Sequence, residues 1–228
     1  RHHTRWSSFR FLNTGKKMRD AFVSFILHPL FLLKQAVIVL LALIIAIVPF
    51  LVRSVQGKPL NLKKFRPIFQ FLEPLPLGKH LFSFMVGLFA PYTGTIEAHV
   101  ERFEAHEVEI SMEDQPWKRN PYQSIHFIAL ANLGEFTTVL SALSVMQGMK
   151  GVRGIPISLN ISCTKKARGT VYCVSNVGDL EEKLLKLEGK QEIDIEGKIM
   201  DASRKVQIAT VTVTMSFQKM SSESKKTK

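Results

Sequence analysis

Ser124–Met146 reads SIHFIALANLGEFTTVLSALSVM. It contains no proline, and Ile125, Ile128, Ala129, Phe136, Val139, Leu140 and Leu143 recur at helical spacing. Apolar residues occupy most faces of this helix, while Ala129, Ala131, Gly134 and Ala142 keep parts of it slim. A helix apolar on most sides must be enclosed by other elements rather than laid on a surface. Its one acid is Glu135, and no other Asp or Glu occurs between Asp114 and Asp179.

Strand patterns flank this helix on both sides. Ahead of it, Gly94–Phe103 and Glu107–Met112 read as two strands joined by a tight turn, with Val108, Ile110 and Met112 alternating against Glu107, Glu109 and Ser111. After it, Ile155, Ile157, Leu159, Ile161 and Cys163 alternate with polar residues, Lys165–Gly169 makes a turn, and Thr170–Val177 returns. Gly178–Lys190 is a partly helical insertion. Ile193, Ile195 and Ile199 mark the next strand, and Lys205–Phe217 the last. Cys163 and Cys173 then lie on neighbouring strands but out of register, and both read as reduced core residues. Two strands, one long helix and four strands give an α+β domain over residues 81–220. Its predicted form is a curved, six-stranded antiparallel sheet around a central helix, the hotdog architecture.

The charge is unevenly placed. The 228-residue chain carries a formal +12, but residues 1–72 hold twelve Lys/Arg against one acid, a net +11. The rest holds nineteen against eighteen, a net +1. A nucleic-acid-binding domain carries its charge on its own surface, so that class is excluded. Ala36–Val52 is an uncharged apolar run with basic flanks. With Phe31–Leu33 added and Lys34 snorkelling, 31–53 is long enough for a transmembrane helix; the alternative is a buried core helix. Residues 1–30 are a basic segment whose Arg, Lys and Ser content without acids in the first nineteen positions fits either a mitochondrial targeting remnant or a polybasic flank at anionic lipid. Residues 54–80, rich in Pro, read as a linker with short ordered pieces. His80–Ala90 reads as a capping helix, and 221–228 as a disordered tail. No Cys/His cluster has metal-ligand spacing, so no metal and no cofactor is expected.

Arg119–Leu140, RNPYQSIHFIALANLGEFTTVL, resembles the central-helix motif of hotdog acyl-CoA thioesterases, closest to a branch with an "HA-A--N--E" pattern. Phenylacetyl-CoA-type members place an Asn, six residues on a His usually followed by Gly, and nine residues past the His an acid. Here those positions are Asn120, His126 and Glu135, with Phe127 in place of the Gly. The likeness runs from about Phe82 to Phe217. It implies Glu135 as general base or nucleophile, the Phe127 backbone N–H as oxyanion donor, and Asn120 and His126 as orienting groups. Nine helical steps put His126 and Glu135 on opposite faces. That fits the family's site shared across a dimer interface.

The reading that follows is a membrane-anchored protein, placed in the mitochondrial inner membrane, that hydrolyses acyl-CoA or acyl-carrier-protein thioesters as a homodimer or paired hotdog subunit. The alternative is a non-catalytic hotdog scaffold in a mitochondrial membrane complex; a hotdog dehydratase is weaker. In the bland reading, Glu135 is an interface carboxylate, His126 packs at the helix start, and Asn120 before Pro121 is only a turn residue.

Overall fold

In the computed structural model, the described residues are 65–219, with Leu33, Lys34, Val37, Leu40 and Leu41. Those five are helical and exposed. The membrane-helix reading of 31–53 otherwise lies outside the described residues, as do the readings of 1–30 and 221–228.

The ordered chain runs α1 (Phe65–Leu72), α2 (Gly78–Phe89), α3 (Pro91–Gly94), β1 (His99–Phe103), β2 (Glu107–Met112), a 3-10 turn (Pro116–Lys118), α4 (Phe127–Met146), β3 (Val152–Cys163), β4 (Val171–Asn176), α5 (Leu180–Leu185), β5 (Lys190–Met200) and β6 (Gln207–Lys219). The six strands form one antiparallel sheet in the order β1-β2-β4-β5-β6-β3. The sheet wraps α4, which packs against β2, β3, β4, β5 and β6. This is the expected hotdog arrangement. Leu133 and Ala142 of α4 are fully buried against inward residues such as Val108, Ile110, Ile199, Val211 and Val213. The helix hides its hydroxyls as well: Thr137, Thr138 and Ser141 donate to the Leu133, Gly134 and Thr137 carbonyls at 2.7, 2.9 and 2.9 Å.

The two edges of the sheet differ. At β1, the Ser83 hydroxyl on α2 accepts the Val100 N–H at 2.9 Å, and Lys79 Nζ donates to the Glu101 carbonyl at 2.6 Å. Helix α2 thus seals that edge. Phe69 and Phe82 pack edge-on at 5.1 Å and meet Phe103 of β1. Strand β3 at the other edge has only β6 as partner.

Several expectations need correcting. Within the stretch read as a linker with short ordered pieces, α1 buries Phe65, Phe69 and Leu72, and α2 begins at Gly78. The first strand starts at His99 rather than Gly94, because Pro91 opens a helical turn and Gly94 sits against Gly87. The polar side of β2 is not open: Glu109 and Ser111 are buried. Arg204 Nε donates to Glu109 at 2.6 Å and lies 3.6 Å over the Tyr172 ring, and Ser111 donates to Glu101 at 2.6 Å. Long side chains roof that face.

The largest correction concerns β3 and β4, which do not form a hairpin. Thr164–Thr170 instead carries the chain from the open edge to a place between β2 and β5. Ala167 is buried on the way, and its carbonyl accepts the Ile125 N–H at 2.9 Å. A register shift at Pro156/Ser158 also breaks the alternation in β3. Leu159, Ile161 and Cys163 pair with Val213, Val211 and Ala209, the inward residues of β6, but beyond the bulge it is Pro156 and Gly154 that pair with inward Met215 and Phe217. Ile155 therefore pairs with Ser216 and falls on the other face. Pro156 has no N–H to give a ladder, and a bulged edge strand tolerates it. Cys163 is exposed, whereas Cys173 is buried as expected.

Gly134 sets how closely α4 approaches the sheet. A Cβ there would lie 2.4 Å from Val211 Cγ2. Gly to Ala within a helix ordinarily stabilises by nearly 1 kcal/mol, but overpacking costs about 1–3 kcal/mol, so the clash wins. Gly134→Ala is expected to lower the thermal midpoint, and adding Val211→Ala to recover part of the loss. Thermal unfolding by circular dichroism checks this; a midpoint raised by Gly134→Ala alone would contradict it.

Candidate active site

The start of α4 is held by the loop before it. Asn120 Oδ1 accepts the Tyr122 N–H at 2.9 Å and the Ser124 N–H at 3.3 Å, and its Nδ2 donates to Ser124 Oγ at 3.1 Å. Pro121 and the left-handed Gln123, at φ 56°, complete the turn. Arg119 and Ile125 form an antiparallel bridge, so the chain is still extended where a helix from Ser124 was expected. His126 is the cap. Its N–H donates to the Lys118 carbonyl at 2.7 Å, and its Nδ1 accepts the Ile128 N–H at 3.2 Å. That acceptor role requires an unprotonated Nδ1. The Phe127 N–H is left without an acceptor among the described residues, at the positive end of a twenty-residue helix.

Glu135 lies farther along α4, nine residues or about 13 Å of helical rise from His126. It is half-buried, and burial alone pushes its carboxyl above the usual carboxylate range. No hydrogen bond or ion pair reaches its carboxyl among the described residues. It lines a cavity of about 320 Å³ with Tyr92, Thr93, Ile128, Asn132 and Leu159. This cavity opens on the β3 flank, where Leu159 is 41% exposed.

Within one chain, the structure distributes the four candidates. Asn120 and Phe127 share a cavity of about 530 Å³ with Cys163, Lys165 and Lys166 of the crossover. His126 lines a cavity of about 420 Å³ with Trp117, Lys118 and Asn132. Glu135 is in neither. Two groups were given no role in the sequence reading. Asn132, the Asn of the quoted pattern three residues before Glu135, belongs to both the His126 and the Glu135 cavities and donates to the Tyr92 carbonyl at 3.2 Å. Lys118 is 4% exposed, donates to the Glu113 carbonyl at 3.3 Å, and lies 3.8 Å from Glu97. Burial holds its ammonium below the usual lysine range, against the pull of Glu97, Glu113 and Asp114. Nothing in a loop sequence marks a lysine as buried.

Residues 78–217, from the first residue of α2 into β6, match the family described as Domain of unknown function (DUF4442). The chain belongs to the DUF4442 family. None of the curated proteins matches it. Among solved structures, the structural-genomics protein APC5556 is similar at 19% identity and TM-score 0.54, over 68% of this chain and 98% of that one. A mutant of the thioesterase SAV0944 of Staphylococcus aureus is 19% identical with TM-score 0.46, over 56% and 98% of the two chains. PA5026 of Pseudomonas aeruginosa, a probable thioesterase, is 19% identical with TM-score 0.47, over 63% and 96%. At 19% identity the likeness to APC5556 concerns the fold alone.

The unpaired carboxyl of Glu135 has a consequence for stability. Its folded-state pKa is raised, so its contribution is fully present below the unfolded-state pKa and is lost as pH rises through the folded value. Glu135→Gln removes this titration. The variant is expected to melt above the wild type at about pH 8, with the gap closing towards about pH 4. A lower midpoint for the variant at the higher pH would mean that the carboxylate has a stabilising partner.

Proposed function

We propose that this protein hydrolyses acyl thioesters of coenzyme A or acyl carrier protein, at a site made by two copies of the chain. The observation that carries the reading is Glu135: a half-buried carboxyl with raised proton affinity and no partner among the described residues, on the open flank of the helix. An unpaired acid on an apolar helix is costly unless it is used. The exposed Leu159 beside it and the unpaired edge of β3 offer the second copy a surface to cover. The partner's helix start would then bring an unoccupied Phe127 N–H towards Glu135.

In this arrangement Glu135 takes a proton from water as the oxygen attacks the thioester carbonyl. The oxyanion accepts the hydrogen bond from Phe127 N–H. The C–S bond breaks, and the proton held by Glu135 passes to the departing thiolate. The products are a carboxylic acid and a free thiol. Water is the only co-reactant, and no cofactor enters. Asn120 and His126 act through the backbone they hold. Glu135→Gln is expected to cut turnover of palmitoyl-CoA about 10²-fold or more, in the range of a lost general base. Asn120→Ala and His126→Ala should cost less. Near-wild-type turnover by Glu135→Gln, followed by thiol release, would remove the catalytic assignment.

The second reading is a non-catalytic hotdog scaffold in a mitochondrial membrane complex. The engagement of both Asn120 and His126 in local structural bonds favours it. In either reading we assign the chain to a membrane, through the uncharged run 36–52 and its basic flanks, and to the mitochondrial inner membrane through the basic, acid-free start. The full chain is expected to stay in the pellet on carbonate extraction and to sediment as a dimer after solubilisation. Release by carbonate would overturn the anchor, and a monomer would overturn the homodimeric site.

A further inference from the structure

A second cavity lies away from Glu135. It has a volume of about 570 Å³ and lies among α2, α3, the turn into β1 and Phe136 of α4. Its size is that of cavities that enclose small ligands. Phe84, Val86, Leu88 and Phe136 give it apolar walls, and Phe84, at its mouth, is 60% exposed. Gly87 and Gly94 stand in backbone contact beside it, with 2.9 Å between the Gly87 carbonyl oxygen and a Cβ built on Gly94, so α2 and α3 meet with no side chain between them. Part of its lining is polar. His80 and His99 lie 4.8 Å apart, and His99 Nδ1 is shut off from solvent with no hydrogen-bond partner. Burial and the neighbouring His80 hold the His99 imidazole below its usual pKa, against Glu101 and Glu113, which favours the neutral ring. The cavity adjoins the Glu135 cavity at Thr93, which lines both.

We propose that this cavity binds a single fatty acyl chain. Apolar walls with two histidines among the lining suit a ligand with one apolar body and one hydrogen-bonding head. Two sources of that chemistry exist. The chain of a thioester held at Glu135 can pass Thr93 into the cavity; this arm rests on the proposed hydrolysis. A free fatty acid can instead lie with its carboxylate at His99; this arm does not.

The test uses the full-length protein in membranes and a long-chain fatty acid bearing a diazirine. Light should label residues within 80–99, and excess palmitate should compete. Ala98→Phe, which fills the cavity from a lining position, and Phe84→Asp, at its exposed mouth and so without demand on the core, should each reduce that labelling severalfold. In parallel, the ratio of decanoyl-CoA to butyryl-CoA turnover is measured. A fall in the ratio of about tenfold in Ala98→Phe assigns the cavity to the substrate's own chain. An unchanged ratio with lost labelling assigns it to a free fatty acid. Either outcome upholds the proposal. Labelling confined to residues outside 80–99, or unaffected by both variants, overturns it. Labelling that stands while no thioester is hydrolysed leaves the acyl site in place and removes the enzymatic reading alone.

Discussion

The structure depends on enclosing α4. A helix with apolar residues on nearly every face loses about 1.5–3 kcal/mol for each large side chain left in water. A flat sheet can cover only one side of it. The curved sheet reaches further, and close approach at Gly134, where Val211 fills the space a side chain would need, brings the helix into its hollow. The polar positions of α4 are compatible with burial because each hydroxyl bonds within the helix or to a neighbour; Ser144, for example, donates to the Ala105 carbonyl at 2.7 Å and ties the helix to the β1–β2 turn. The same demand explains α1 and α2. The residues ahead of the sheet supply Phe69, Phe82 and Met85 to close the end that β1 leaves, and they satisfy its edge N–H at Val100.

The enclosure is incomplete on the β3 flank. There, inward-facing Leu159 and Cys163 remain exposed, as do Phe127 and Ile128 on the facing part of α4. This is also where the helix carries its acid. A carboxylate elsewhere on α4 would be surrounded by hydrocarbon, with its pKa driven far up and the fold weakened. At this flank Glu135 keeps part of its surface in water while burial still raises its proton affinity. A group so placed is easier to protonate than a surface acid.

The sequence was readable where local pattern and final packing agree. In β5, Ile193, Ile195 and Ile199 alternate through regular pleating and do face the helix. In β3 the same pattern misleads, because one extra residue at the Pro156–Ser158 bulge exchanges the two faces. The order of the strands was out of reach for a related reason. Adjacent strands usually pair, but Thr164–Thr170 crosses over the start of α4 instead, held by the buried Ala167, whose role as an anchor no propensity records. The spacing of Asn120, His126 and Glu135 was visible, and so was the difficulty of bringing the last two together on one helix. Their division among three cavities follows from the same geometry.

Phe127 departs from the Gly usual at this position in the relatives the motif resembles. An oxyanion donor at a helix start is a backbone N–H, and any residue but proline supplies it. The cost of Phe must therefore lie in its ring. That ring stacks on the cap residue His126 at 5.4 Å and is 51% exposed. Since His126 is fixed by its bond to Ile128 N–H, the stacked ring leans on a held neighbour and leaves its own N–H free of an acceptor. An aromatic ring half in water is an apolar surface awaiting cover. It lines the cavity of Asn120 and Cys163, while its neighbour Ile128 lines the Glu135 cavity. Any side chain but proline's would leave that N–H in place, so what Phe adds here is exposed apolar surface.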